Sequence, residues 1–520
     1  MPANPTVLCI EQYRGSLMKV KKTLIQNAQL WIAPLMVLWI CGCAVGPDFQ
    51  VPDAPSVDRY TKTGLPEKTV ASDTKGGSEQ RFILGRDISR EWWRLFHSAA
   101  LDDLMSTALA ENPSVAIAEA RLRAARENRA AQFGSFFPAI DAGASIGRQR
   151  ISAASLGQSG ADSTTFSLLN ASIGVSYTLD IFGGMRRQLE ALDALVEYQS
   201  YQLEGAYLIL TSNIITSALL SASLRKQTRA TLEIIDFQTQ QLNLVKERYN
   251  LGAVALAEVL SQQSQLAQTE AALPVLEKNL SLVRHQLAVL VGKAPSEIDL
   301  PEFDFETMSL PEELPVSLPS TLVRQRPDIK AAEALLHQAS AQVGVATANL
   351  YPKITLTGSY GLVSNSLGDL FNSQSIIWNI GAGLLQPVFH GGTLRAQRRA
   401  ALAVYDQSLA QYRLTILQSF QNVADALRSL EIDAVALKAQ VKAEQAAREA
   451  LELTRKQYEL GAVSYPFLLN AQQQYQAAYI NLVGAQSARF ADTAALFAAL
   501  GGGWWPDRTE RENRSSLSQE

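Results

Sequence analysis

The sequence predicts a mainly α-helical chain with a transmembrane β part, built by internal duplication, and three observations carry that expectation. Motifs recur in one order at offsets between 207 and 214 residues, the mark of a duplicated unit. Two stretches, Met185 to Val291 and Thr393 to Leu500, are almost free of helix breakers: Gly205, Gly252 and Pro274 in the first, Gly461, Pro466 and Gly484 in the second. Between and before them lie short segments in which apolar and small polar residues alternate with period two.

The first forty or so residues read as an address. "MKVKKTLIQNAQLWIAPLMVLWICGC" starts at Met18 with three lysines and an apolar run from Leu30 to Ile40. That run is too short for a bilayer-spanning helix, which needs about 20 residues, and suits the core of a signal peptide. Residues 1–42 are therefore expected to be a signal peptide with Met18 as the true start. The closing "ICGC" resembles a bacterial lipobox, which implies cleavage before Cys43 and a covalent lipid there. Residues 43–90, rich in Pro, Gly, Ser and Asp, are expected to form a lipidated extended tether. Order is expected from "EWWRLF" at Glu91 onward.

The first repeat is assigned to residues 91–292. A helix from Leu101 to about Phe133, broken at Asn112-Pro113, leads into a β-hairpin that includes "IDAGASIG" and "LNASIGVSYTLD". Helical spacing of Leu203, Tyr207, Leu210 and Ile214 predicts one helix from Met185 to Asn250, about 100 Å long at ~1.5 Å per residue. A shorter helix returns from it, about 55 Å long. A Pro- and Glu-rich linker is expected at residues 293–320. The second repeat spans 321–504: "AENPSVAIAEARL" returns as "RQRPDIKAAEALL", "FFPAIDAGAS" as "LYPKITLTGS", and "LDIFGGMRRQ" as "QPVFHGGTLRAQ". Residues 505–520 are polar and expected to be disordered. The strands of "ITLTGSYGL" and "WNIGAGL" again place apolar side chains on one face only. Strands of about 10 residues with one lipid-compatible face mark a membrane barrel. Four strands cannot close one, and open edges are excluded in lipid. Three copies, supplying twelve strands, are the expected solution.

Composition excludes several classes. Lys+Arg total 46 against 50 Asp+Glu, a formal charge of −4, so nucleic acid is not an expected partner. The cysteines are Cys9, Cys41 and Cys43, all within the first 43 residues, leaving no downstream disulfide or thiolate site. Four scattered histidines and the lack of any metalloprotease, P-loop or nucleophile-elbow pattern argue against an enzyme, a metal site or a cofactor other than the lipid on Cys43.

Several motifs in order, "CAVGPDFQVP", "WWRLF", "LPSTLVRQRPDI" with "AEALL", "LQPVFHGGTLRAQ" and "LGGGW", resemble those of the TolC/OprM-like outer-membrane factors, in particular the NodT-type efflux lipoproteins. The resemblance runs from Cys43 to about Trp504. It implies a homotrimeric twelve-stranded β-barrel continuous with a long twelve-helix periplasmic α-barrel, in the outer membrane and lipid-anchored. It also implies passive export of drugs, metal ions or other small toxic solutes delivered by a periplasmic adaptor protein and an inner-membrane pump. A duct for type I protein secretion is the alternative, and a structural trimeric coiled-coil surface protein a remote one.

"ERYNLGAVALAEVL" and "KQYELGAVSYPFLL" are then the two helical hairpin tips. Gly252 and Gly461 supply the left-handed residue that ends a helix. Leu251, Ala253, Val254, Leu460, Ala462 and Val463 complete the surface on which the resemblance implies that the adaptor docks. It likewise implies a periplasmic constriction at Glu258, Ser261, Gln262, Leu469, Asn470 and Gln473. Where many relatives read "LLDAQR", this chain reads "FLLNAQQQY", so an acidic ring of aspartates is replaced by a neutral one.

Overall fold

The computed structural model describes residues 44–53, 55–152 and 162–504. The expected signal peptide, Cys43 itself and the polar tail from residue 505 lie outside them. The chain divides into two compact units.

The first unit comprises the residues up to Gln50 together with Arg126–Leu195 and Leu336–Ser408. Its sheet has the order β2 (Ala139–Ile151), β3 (Thr164–Leu179), β5 (Lys353–Ser364), β6 (Ile376–Leu385), and every pairing is antiparallel. Each repeat thus contributes one hairpin, and the hairpins join through β3 and β5. The register carries the alternation across all four strands. One row reads Ala142, Ile173, Tyr360, Trp378 and the next Ile140, Val175, Gly358, Ile380. On the opposite face the rows read Asp141, Gly174, Ser359, Asn379 and Gly143, Ser172, Gly361, Ile377. Period two and this register put most of the large apolar side chains on one face.

The second unit comprises Val51–Ala125, Val196–Leu335 and the chain from Leu409. The pre-strand helix is broken as expected, into α1 (Ala99–Glu111) and α2 (Pro113–Gly134). The long helix α3 runs Gly184–Asn250 and its return α4 runs Leu256–Val291, of 67 and 36 residues. In the second repeat α5 (Pro319–Gln325) and α6 (Pro327–Ala348) precede the strands, and α7 (Thr393–Glu459) and α8 (Tyr465–Ala499) follow them. One 18-residue window of α3, of mean hydropathy 1.5, is apolar enough to cross a bilayer, but 61% of it is buried in the protein. Leu210, Ile214, Ile215 and Leu219 of that helix belong to the core.

Both repeats solve the junction of short helices in the same way. Asn112, between α1 and α2, accepts from Ser114 N at 2.7 Å and donates its amide to Leu290 O at 2.7 Å. Arg326, between α5 and α6, donates to Ala499 O at 2.7 Å and pairs with Asp328 at 2.8 Å. The proline that follows each junction residue cannot donate. In each repeat the junction side chain satisfies a carbonyl left open at the end of the returning helix.

Two expectations are corrected here. From Val51 on, the segment assigned as an extended tether is extended but packed. Its β1 (Arg81–Leu84) pairs in parallel with β4 (Glu313–Val316), which lies in the segment assigned as a linker. Gln80, fully buried, donates to Pro311 O at 3.1 Å and accepts from Arg489 at 2.6 Å. Arg489, itself 1% exposed, also donates to Leu430 O at 2.9 Å. The linker likewise contributes Phe303, Phe305, Met308 and Leu314 to the core, beside Trp92, Phe96, Phe490 and Phe497. Trp92 stacks on Phe497 at 5.2 Å and Phe305 on Phe490 at 5.2 Å. Ordered packing thus precedes Glu91, and prolines in these segments stop helices without preventing burial.

Candidate functional site

Two surfaces stand out, one in each unit. In the sheet, apolar side chains project without cover from the chain itself: Ile140 is 69% exposed, Ile146 77% and Ile380 83%. Trp378 and Tyr360, opposite one another, are exposed on the same face. Water is a poor solvent for such a face. A hydrocarbon layer with aromatic residues near its boundary suits it.

The second surface is made by the helix tips. After α3, Gly252 N donates to Tyr249 O and Ala253 N to Arg248 O, both at 2.8 Å. After α7, Gly461 N donates to Tyr458 O at 3.0 Å and Ala462 N to Gln457 O at 2.8 Å. Both are the paired-bond Schellman ending, with the glycine left-handed at φ 76° and 74°. A Cβ at either glycine would meet open space, so backbone conformation rather than crowding selects glycine there. Leu251 and Leu460 stand out into solvent, 83% and 84% exposed. Val254 and Val463, grouped with them in the sequence, are instead half-buried against a small core of Leu242, Val245, Val259, Tyr458, Tyr465 and Leu468. This corrects the expected docking surface: each tip offers one leucine, with Ala253 exposed and Ala462 exposed beside them.

That small core ties the two hairpins together. Tyr458 and Tyr465 meet edge to face at 5.8 Å, and the Arg248 guanidinium lies 5.0 Å from the Tyr458 ring centre. Arg455 lies similarly over Phe237 at 5.2 Å. Burial pushes the Tyr465 hydroxyl far above its usual range, aided by Tyr458 and Glu258, so it stays neutral. None of these aromatic and arginine partners was singled out from the sequence. The tyrosines flank the recurring Leu-Gly-Ala-Val motif, and the duplicated Tyr at 249 and 458 was the available cue.

The residues expected at a constriction separate into two groups. Asn470 is exposed, and its oxygen accepts from Gln474 at 2.7 Å, one turn along α8. Gln473 donates to Gln265 Oε1 at 2.6 Å, linking α8 to α4 through neutral amides. Ser261 is exposed and Glu258 half-buried near the start of α4. Gln262, however, is fully buried and donates to Gln238 O at 3.0 Å. It holds α4 against α3 and cannot line an open passage. Leu469 packs partly on the tyrosine core.

Cys43 lies outside the described residues, but the residues after it are held. Val45 N donates to Phe182 O at 3.0 Å. Arg187, 5% exposed, donates to Val45 O at 3.2 Å and pairs with Asp48 at 2.6 Å and Glu190 at 2.8 Å. Phe49 stacks on His337 at 4.4 Å, and His337 reaches Glu190 at 3.1 Å.

The chain is similar to known proteins over most of its length. The family described as outer membrane efflux protein matches residues 104–293 and 318–502. The pyoverdine export outer membrane protein OpmQ of Pseudomonas aeruginosa is 33% identical over 92% of this chain and 97% of its own length. The probable efflux pump outer membrane protein TtgC of Pseudomonas putida is 28% identical over 92% and 96%. Among solved structures, the outer-membrane channel OprN superposes with a TM-score of 0.79 at 28% identity, covering 89% of this chain and all of that one. The outer membrane protein VceC of Vibrio cholerae gives 0.73 at 27%, covering 80% of this chain and 100% of its own.

Proposed function

This chain belongs to the outer membrane efflux protein family, and from that premise we propose that three copies form the exit duct of a tripartite efflux system. The protein is an outer-membrane channel component of efflux machinery, like the relatives it matches. On our reading, the apolar faces of the sheets meet lipid and the helical part extends into the periplasm. An adaptor protein docks at the tips, and an inner-membrane pump of the resistance-nodulation-division type supplies the driving force. Transport through the duct is then passive, and Cys43 carries the lipid that holds the N-terminal segment at the membrane.

The observation that carries the docking role is the pair of matching tips. Two helices from opposite halves of the chain end in the same hydrogen-bonded turn, each presenting one leucine more than four-fifths exposed. An exposed apolar side chain at a rigid, repeated position suits a partner that must engage several tips at once. Small organic solutes are the proposed cargo, since the relatives are named for pyoverdine export and for an efflux pump.

The test replaces both leucines, Leu251→Glu with Leu460→Glu. The variant should reach the outer membrane and keep its oligomeric state, yet lose co-purification with the adaptor and lose export. Full export by this double variant removes the tips from docking. Secretion of a specific polypeptide that stops on deletion of the gene, with small-solute resistance unchanged, would favour the protein-secretion duct instead.

A further inference from the structure

A pocket of about 200 Å³ lies within the second unit between α3, α7 and α8, apart from the tip residues and from the expected constriction. Its walls are built from pairs of residues one helical turn apart. Glu233 and Phe237 come from α3, Leu451 and Arg455 from α7, Tyr475 and Tyr479 from α8. The space suits a compact ring system, since pockets for drug-sized ligands run from roughly 300 Å³ upward.

The walls combine three features. The first is aromatic. The Tyr475 and Tyr479 rings lie 6.1 Å apart, and the Phe237 ring has the Arg455 guanidinium 5.2 Å from its centre, so its face accepts a positive group. The second is negative charge without a counter-charge. Arg455 is engaged by Glu459 at 3.2 Å. Glu233 and Glu452, both in the walls, make no side-chain ion pair or hydrogen bond among the described residues. Burial, and then the charge of Glu233, holds the Tyr479 hydroxyl above its usual range, which places that carboxylate's field on the rings. The third is a pair of unsatisfied amides. Gln472, 5% exposed, has a partner for neither amide atom, and Gln238, 1% exposed, has none for its oxygen. Both stand in the same walls. Buried amides ordinarily find partners, so two orphans around one cavity mark where a bound group supplies them.

The duplication provides a comparison inside the chain. Leu460 answers Leu251 at the tips, an offset of 209 residues. At that offset Phe237 is answered by Ala446, Tyr475 by Leu266 and Tyr479 by Glu270, while Glu233 becomes Lys442 and Glu452 becomes Asn243. Both halves form the same long helix and return. Packing of a helical hairpin therefore does not demand the three rings and two carboxylates that meet here.

We propose that this pocket binds an aromatic organic cation bearing N–H donors, its rings against Phe237, Tyr475 and Tyr479 and its charge toward Glu233 and Glu452. The donors meet the free amide oxygens of Gln238 and Gln472. An anion of similar shape is repelled by the two carboxylates, and a neutral molecule gains only the apolar contact. Binding needs the fold of the second unit and does not rest on assembly, docking or transport.

Ethidium, a flat cation with two ring amines, is the probe. Added to the protein purified in a non-ionic detergent, it should bind saturably, one per chain, by fluorescence polarisation. Glu233→Gln with Glu452→Gln should weaken binding about tenfold or more, because both attracting charges are lost. Phe237→Leu, which keeps an apolar side chain but removes the ring, should weaken it about threefold to fivefold, and Phe237→Tyr should restore it. Oligomeric state and melting temperature, recorded for each variant, should match the parent. Glu449→Gln, an acid of α7 outside the pocket walls, is the charge control, and anionic fluorescein should not displace ethidium. Uptake that does not saturate, parent-like binding by the double glutamine variant, or an equal loss with Glu449→Gln would each overturn the site.

Gln472→Leu separates binding from folding. It removes an unsatisfied amide, so it should raise the melting temperature without ethidium and still weaken ethidium binding. Unchanged affinity in this variant would overturn the contact assigned to Gln472.

Discussion

The pKa of the Asp492 carboxyl on α8 is pushed up to about 7, chiefly by burial, then by the hydrogen bond its protonated form donates to Asp433 and by the negative charge of Asp433, with Arg489 opposing. A carboxyl whose pKa is raised on folding favours the folded state most when protonated. Its contribution is complete below the ordinary value of 3.8 and is lost as pH rises through about 7. Asp492→Asn fixes the neutral form. It should raise thermal stability at pH 8, by on the order of 1 kcal/mol once solvent screening is allowed for, and have little effect at pH 4. Melting curves of the purified protein from pH 4 to 8 check this. A difference between variant and parent that does not grow with pH would assign the acid pair no role in stability. The sequence offers Asp433 and Asp492 as two ordinary surface acids on helices. Their meeting depends on how α7 packs against α8, which periodicity does not encode.

At the scale of elements, helices were the legible part and short strands were not. Scarcity of Gly and Pro, with Gly205 alone between Met185 and Asn250, predicts α3 directly, and Asn112-Pro113 predicts the break between α1 and α2. Strands β2, β3, β5 and β6 announce themselves by alternation because one face meets a different solvent. By contrast β1 and β4 have four residues each and lie in distant parts of the chain. Their pairing is parallel and non-local, so neither segment shows a pattern of its own. The tips were half legible: the repeated glycines gave the turns, but the inward packing of Val254 and Val463 depends on the hairpins meeting, and that of Gln262 on α4 folding back along α3. The buried link from β1 to α8 through Gln80 and Arg489 has a measurable consequence. Gln80→Ala would leave Arg489 without its 2.6 Å acceptor in a site that excludes water. The loss should be about 1–3 kcal/mol and should appear as faster proteolysis of residues 51–80, with α-helical content unchanged by circular dichroism. Proteolysis at the parent rate would show that this segment is held by its other contacts.

For the whole molecule the consequential departure from the family pattern is electrostatic. A ring built from an aspartate in each copy binds cations in a pore, and crowding several carboxylates raises their pKa values. This chain has Asn470 in that place, exposed on α8 with its side chain bonded to Gln474, while Gln473 and Gln265 pair as neutral amides nearby. A passage narrowed here would be held by amide hydrogen bonds and by Leu469 on the tyrosine core, neither of which titrates near neutrality. The channel should therefore show weak block by multivalent cations and little change in conductance between pH 5 and 8. Asn470→Asp introduces one carboxylate per copy at an exposed position, and in a trimer these sum to a ring. Divalent cations added on the periplasmic side of a planar bilayer should then close the variant at concentrations that leave the parent conducting. Lowering the pH should relieve the block, since protonation removes the charge. Because the substitution preserves size and an oxygen acceptor for Gln474, folding and assembly should be unaffected, so a changed conductance reports the charge itself. Strong divalent block of the parent channel, or identical block of parent and variant, would place the constriction elsewhere than Asn470.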